Sequence, residues 1–258
     1  MSIVFRTAFY CFFIAAFLVA GLWWFLGTDT GNPQFSSLEA GFEELNEIED
    51  IEDEEPSSLF ENWQRPEGPI RVGLQAGHWR NSEVPEELGD LKRSGGGAVG
   101  GGKSEWEVVL NIAELTAQIL REMGIDVDIL PATIPPSYYA DAFVAIHADG
   151  NISPSVSGFK VARPRFDTLG KSSLLGNLLY EEYEKATGLR RDSNVTRQMR
   201  GYYAFNWRKY EHSIHQMTPA VIIETGFLTS PRDREILISN PKKAADGIAS
   251  ALLKFLSY

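Results

Sequence analysis

Apolar residues fall into three patterns along this chain, and each predicts a different kind of element. Short, largely apolar runs at Pro69–Gly77 (PIRVGLQAG), Ile125–Leu130 (IDVDIL), Ala142–Gly150 (AFVAIHADG) and Ala220–Phe227 (AVIIETGF) predict strands. The last two run almost without alternation, as strands buried on both faces do. Apolar residues at helical spacing form the second pattern: Val108, Val109, Ile112, Leu115, Ile119, Leu120 and Met123, then Leu174, Leu175, Leu178, Leu179 and Tyr183, then Ala245, Ile248, Leu252 and Phe255. Their ends carry matching signals. Ser104 with Glu107 makes a capping box, Gly124 and Gly188 stop two helices, and Ser230-Pro231 and Asn240-Pro241 open two more. Strands alternating with helices predict an α/β, three-layer sandwich with a mostly parallel central sheet flanked by helices. Between them lie a polar, Gly-rich loop from Trp79 to Lys103, a loop over Pro131–Asp141, and a further strand over Gly158–Arg163. The segment Arg190–Thr218 has no clear period, with a possible strand near Tyr202–Phe205.

The third pattern is Ala8–Leu26, 19 residues without a charge. As a helix it spans about 28 Å, enough to cross the hydrocarbon core. Arg6 before it, acids after it and Trp23-Trp24 at its end read as a signal anchor over residues 1–27 with the rest of the chain outside the cytoplasm. A signal peptide cleaved near Val19-Ala20-Gly21 is the alternative, and either way the domain is exported. Residues 28–68 are small and acidic, with nine carboxylates between Glu43 and Glu55, and read as a disordered tether. Leu59, Phe60 and Trp63 are the residues there able to lie against the domain, which is expected over 69–258.

Charge changes the picture only once it is located. The net charge of −11 belongs to the upstream segments, because from Pro69 onward 22 Lys and Arg face 22 Asp and Glu. The domain therefore lacks the basic footprint of a nucleic-acid binder. The single cysteine, Cys11, lies in the uncharged stretch, which excludes an intrachain disulfide and a thiolate zinc site.

Polar residues that end or interrupt the buried runs are the candidate chemistry. His78 follows the first strand, His147 ends the Ala142 run, Glu224 stands inside the last strand, and Glu105 opens the first helix. In open α/β sheets ligands bind at the carboxyl ends of the strands. Two imidazoles, a carboxylate and an open position make a catalytic zinc set, and another carboxylate beside it can take a proton from water. An ionised Glu224 after Val221-Ile222-Ile223 needs a cation or several donors to sit there.

Five motifs carry a resemblance to a known family: GHW at 77–79, GAVG at 97–100, EWEVVLNIA at 105–113, FVAIHAD at 143–149 and PAVIIETGFLTSP at 219–231. In this order they resemble the zinc-dependent N-acetylmuramoyl-L-alanine amidases of type 3, over Ile70 to the C-terminus. The resemblance implies hydrolysis of the amide joining muramic acid to the peptidoglycan stem peptide. It implies zinc held by His78, Glu105 and His147, with Glu224 as general base. Counting back from Leu110-Asn111-Ile112-Ala113 in the resemblance favours Glu105 over Glu107 as the ligand, and the helix cap agrees, since it already occupies Glu107. The implied partners are peptidoglycan and, through the N-terminal helix, the membrane, with no nucleic acid or nucleotide.

Departures from the family pattern mark where this chain should differ. Gln75 and Trp79-Arg80 stand where the family usually has aspartate and Gly-Gly, and Asp149 stands where it prefers asparagine. A Gln75 carbonyl is still able to orient an imidazole. The 131–141 connection lacks the helix usual there, so one wall of the groove should differ. Three other readings compete. Gly97–Ser104 (GAVGGGKS) matches a phosphate-binding loop, but Gly89–Ser94 before it is no buried strand. A wall-binding module without turnover, and a zinc peptidase acting on another amide, complete the set. His212 and His215 read as surface or supporting residues, one of them able to meet substrate.

Overall fold

The computed structural model describes residues 62–257. The anchor expected at 1–27 and residues 28–61 of the tether lie outside the described residues. Among those described, no helix is long and apolar enough to cross a membrane.

In chain order the elements are β1 (Arg71–Ala76), a short α1 (Gly89–Arg93), the strands β2 (Val99–Gly100) and β3 (Lys103–Ser104), α2 (Glu105–Glu122), β4 (Asp126–Leu130), β5 (Ala142–Asp149) and β6 (Lys160–Ala162). They continue with α3 (Lys171–Thr187), a one-turn α4 (Arg197–Arg200), β7 (Ala220–Phe227), α5 (Pro231–Leu237) and α6 (Pro241–Leu256). The main sheet has the order β4-β1-β5-β7-β6, with β2 and β3 forming a separate small hairpin. Its first four strands are parallel and β6 runs antiparallel to β7 at the edge.

Alternation along the strands divides the core in two. Val72, Leu74 and Ala76, then Val144, Ile146 and Ala148, then Val221 and Ile223 meet the apolar stripes of α2, α3 and α6. Each large aliphatic chain buried there contributes about 1.5–3 kcal/mol. The opposite face carries Phe143, Ala145, Ala220 and Ile222, and among the described residues no long helix covers it. Val84 and Leu88, Ile134 and Tyr138, and Met199, Tyr203, Phe205 and Ile214 do so instead, from the three segments between regular elements. The third layer is therefore built of loops, α1, α4 and single helical turns. The strand expected near Tyr202–Phe205 is a 3-10 turn over Tyr203–Phe205, closed by the Asn206 N–H on the Tyr203 carbonyl. A turn lets the adjacent Tyr202 and Tyr203 serve one site together, where a strand would send them to opposite faces.

The Trp79–Lys103 loop is tied down part-way along. Glu87 accepts from the Glu211 and His212 backbone N–H groups at 3.0 Å each and pairs with His212 Nδ1 at 2.6 Å, tying it to the 190–218 segment. Near its start His78 and Arg80 have φ of 60° and 61°, the left-handed region that favours glycine. Arg80 thus takes a glycine-type conformation at one of the positions where the family has Gly-Gly.

Candidate active site

The parallel order of β1, β5 and β7 brings three chain-distant polar residues to one end of one face. His147 on β5 is level with Glu224 on β7, and Glu224 is level with Lys160 on β6. Gln75 on β1 is level with Ala145, two residues before His147. Side chains at these positions share the loop face, since their neighbours in each strand fill the helical core. Just beyond Glu224 the pairing of β5 with β7 shifts by one residue, a bulge that ends the regular ladder at the site.

Glu105 enters from the start of α2, where a carboxylate is favoured by the helix dipole. Its Oε1 lies 2.9 Å from His147 Nδ1 and accepts from the Ala148 N–H at 3.1 Å. The Oε2 accepts from the Ala98 N–H at 2.9 Å and lies 3.5 Å from His78 Nε2. One ligand atom from each of His78, Glu105 and His147 falls within 4.8 Å of the others, so the three can hold a metal ion. Glu107 turns away, accepting from the Ser104 N–H at 2.9 Å in the capping box.

Two glycines leave room for this cluster. A Cβ at Gly77 would collide with the His147 ring, and one at Gly97, whose φ is 77°, would collide with the Glu105 carboxylate. His78 is held from its far side, where Nδ1 lies 3.3 Å from Ser94 Oγ and 3.2 Å from Asn81 Nδ2. Ser94 donates to the Leu91 carbonyl, and Nε2 of His78 faces Glu105. Gln75 does not reach His78. Its amide faces Tyr202, Tyr203 and the Pro131–Ala132 backbone.

The electrostatics follow from burial and mutual attraction. Burial works against charge on Glu105, but the His78 charge and the His147 bond and charge outweigh it and hold the carboxyl below its ordinary range. Burial likewise opposes the His147 cation, yet the Glu105 bond and charge raise its proton affinity above the ordinary value. For His78 burial prevails and lowers it. Burial pushes the Glu224 carboxyl up to about 8, with the Glu105 and Asp149 charges adding to the effect and those of His147 and Lys160 opposing it. Glu224 Oε2 is shut off from solvent and has no hydrogen-bond partner among the described residues.

Asp149 is balanced by a residue that sequence reasoning passed over. Lys160, 4% exposed, puts Nζ 2.6 Å from Asp149 Oδ2 and 3.4 Å from Asp192 Oδ2. The only hint of it in the sequence was a lysine inside an expected strand. Tyr202 and Ser94 were missed for a different reason: nothing near them in the chain is periodic. His212 and His215 stand apart from the cluster, His212 on Glu87 and His215 stacked on Trp63 with ring centroids 6.0 Å apart. The Gly97–Ser104 segment folds as the β2–β3 hairpin, and the helix start behind it is occupied by Glu105 and Glu107.

Comparison with known proteins adds to this geometry. The amidase AmiA of Escherichia coli (strain K12) is 26% identical over 208 residues, covering 63% of this chain and 72% of that protein. Its Salmonella typhimurium counterpart is 26% identical over 210 residues, with the same coverage of both chains. The solved structure of the amidase AmiC2 of Nostoc punctiforme shares the fold at 21% identity, with a TM-score of 0.54 over 75% of this chain and 100% of that one. The catalytic domain of CwlV from Bacillus (Paenibacillus) polymyxa var. colistinus shares it at 21% identity and a TM-score of 0.51, over 73% of this chain and 98% of that one. A family model described as N-acetylmuramoyl-L-alanine amidase matches residues 72–254, nearly the whole of the described fold, and the chain belongs to that family.

Proposed function

We propose that the protein hydrolyses the N-acetylmuramoyl-L-alanine amide of peptidoglycan, with zinc held by His78, Glu105 and His147 and with Glu224 as general base. The observation that carries this reading is the meeting of two imidazoles and a carboxylate within 4.8 Å on the face that Glu224 also occupies. Two nitrogen donors and one oxygen donor with an open position suit zinc in a hydrolase. The fit is supported by the glycines at 77 and 97, which leave space for the ligand side chains and for little else. Bound zinc would supply Lewis acidity toward water and toward the amide carbonyl.

The protein's own residues do the rest. Glu224, whose Oε2 has no hydrogen-bond partner among the described residues, takes the proton of the attacking water in its ionised form and returns it to the leaving nitrogen. Protonation relieves the cost of holding a buried charge, so burial favours the transfer. Glu105, receiving two backbone N–H groups, stays fixed between the imidazoles throughout. An anchor at Ala8–Leu26 would put this domain outside the cytoplasm, on the side where peptidoglycan lies.

Digesting purified peptidoglycan with the full-length chain, with and without a chelator, tests the proposal. Free stem peptides and intact glycan strands are expected, with release stopped by the chelator. Binding without release would favour a non-catalytic wall module, and cuts within the stem peptide would favour a peptidase. Release that ignores the chelator would overturn the zinc assignment.

A further inference from the structure

Gln75 lies at the end of β1 on the loop face and is fully buried. Its Nε2 donates to the Ala132 carbonyl at 3.0 Å and to Tyr203 Oη at 2.7 Å. The carbonyl can only accept, so the amide cannot turn over, and Oε1 must point the other way. There it accepts from Tyr202 Oη at 2.9 Å. With its one proton committed to Gln75, the Tyr202 hydroxyl can only accept from its next neighbour. That neighbour is His147 Nε2, at 3.3 Å.

We propose that Tyr202, itself held by Gln75, is a positioning residue that keeps a proton on His147 Nε2, so that Nδ1, whose own proton goes to Glu105 until a metal replaces it, is the nitrogen that binds. This rests on the reading of those three residues as a metal site. The ring contacts agree with a fixed pose: Tyr202 meets His147 edge-on, with centroids 5.4 Å apart at 83°, and is backed by Phe205 at 5.6 Å. Gly77 supports the imidazole from below, where any side chain would displace it. Histidines that bind metal through one nitrogen usually give the other N–H to an acceptor, most often a carboxylate or backbone carbonyl. Here a phenol fills that place, and Gln75, where the family usually has aspartate, orients the phenol.

Zinc affinity of the full-length protein, measured by competition against a chromophoric chelator, tests the inference alongside the proton spectrum of zinc-loaded protein labelled with 15N-histidine. Tyr202→Phe keeps the ring and removes only the acceptor, and it is expected to weaken zinc binding about 10- to 100-fold. The His147 Nε2–H signal, slow to exchange in the parent, should broaden or vanish in this variant. Gln75→Met should weaken zinc in the same direction, and the double variant should be no weaker than Tyr202→Phe alone, because both act through one contact. Parent affinity and an unchanged Nε2–H signal in Tyr202→Phe, with zinc lost in His147→Ala, would overturn the positioning role and leave the metal site standing. Zinc binding that survives His147→Ala would overturn the metal reading, and this inference with it.

Discussion

Two carboxylates at opposite ends of the same sheet have opposite surroundings. Asp141, at the entry to β5, accepts from Arg65 Nε at 2.5 Å and Nη2 at 2.8 Å, from the Arg71 N–H at 2.8 Å and from Tyr139 Oη at 3.2 Å. Burial alone would raise its pKa, but these donors and the Arg65 charge hold it below the usual carboxylate range. Glu224, at the exit of β7, keeps an oxygen with no partner among the described residues, and burial drives its pKa upward. One acid is held ionised by full satisfaction, and in the other burial favours the neutral form. The entry end joins the preceding segment to the domain, since Arg65 binds there and Trp63 lies against Tyr139 and His215.

Replacement of Glu224 should break the contrast most sharply. Glu224→Gln is expected to lower turnover on peptidoglycan by at least the 10²- to 10⁴-fold that a general acid–base group supplies. Its zinc content and melting temperature should stay at or above the parent's, because a buried ionisable group is lost. Near-normal turnover in this variant would remove Glu224 from the mechanism.

Gly77→Ala should have the next largest effect, and an indirect one. The added methyl meets the His147 ring, so zinc retention measured by metal analysis after dialysis should fall well below that of the parent. Full zinc occupancy would mean that the ring has another pose able to bind metal.

At the entry end the effects should be smaller and should spare catalysis. Asp141→Asn is expected to lower the melting temperature by a few degrees and leave turnover unchanged. The folded pKa of Asp141 lies below its unfolded value, so its contribution is complete above about pH 4 and is lost as pH falls through the folded value. The gap between parent and variant should therefore be widest near neutrality and close in acid, as thermal melts across pH would reveal. A gap that widened toward acid would reverse the assigned roles.

Much of the fold was legible because its signals are local. A helix that buries one stripe repeats its apolar residues every three or four positions, so α2, α3 and α6 could be read from Val108, Leu175 or Ile248 and their neighbours. The capping box of Ser104 and Glu107 agreed locally with the choice of Glu105 that the family resemblance implied. The loop face offers no such repeat. Its cover comes from Val84, Ile134, Tyr203 and Phe205, which lie in segments where folding, not periodicity, decides what is buried. Tyr202 sits 55 residues from His147 along the chain, and only the turn at Tyr203–Phe205 brings them together.

By itself the sequence determined where the four parallel strands and the three long helices lie and which polar residues stand at strand ends, because side-chain alternation and helix caps depend on nearest neighbours. Which of those residues meet was decided by tertiary structure. The register that sets His147 beside Glu224 and Lys160, and the loops that carry Ser94, Tyr202 and Gly97 to the cluster, depend on how a parallel sheet packs on three helices. That packing joins residues far apart in the chain, and no local pattern records it.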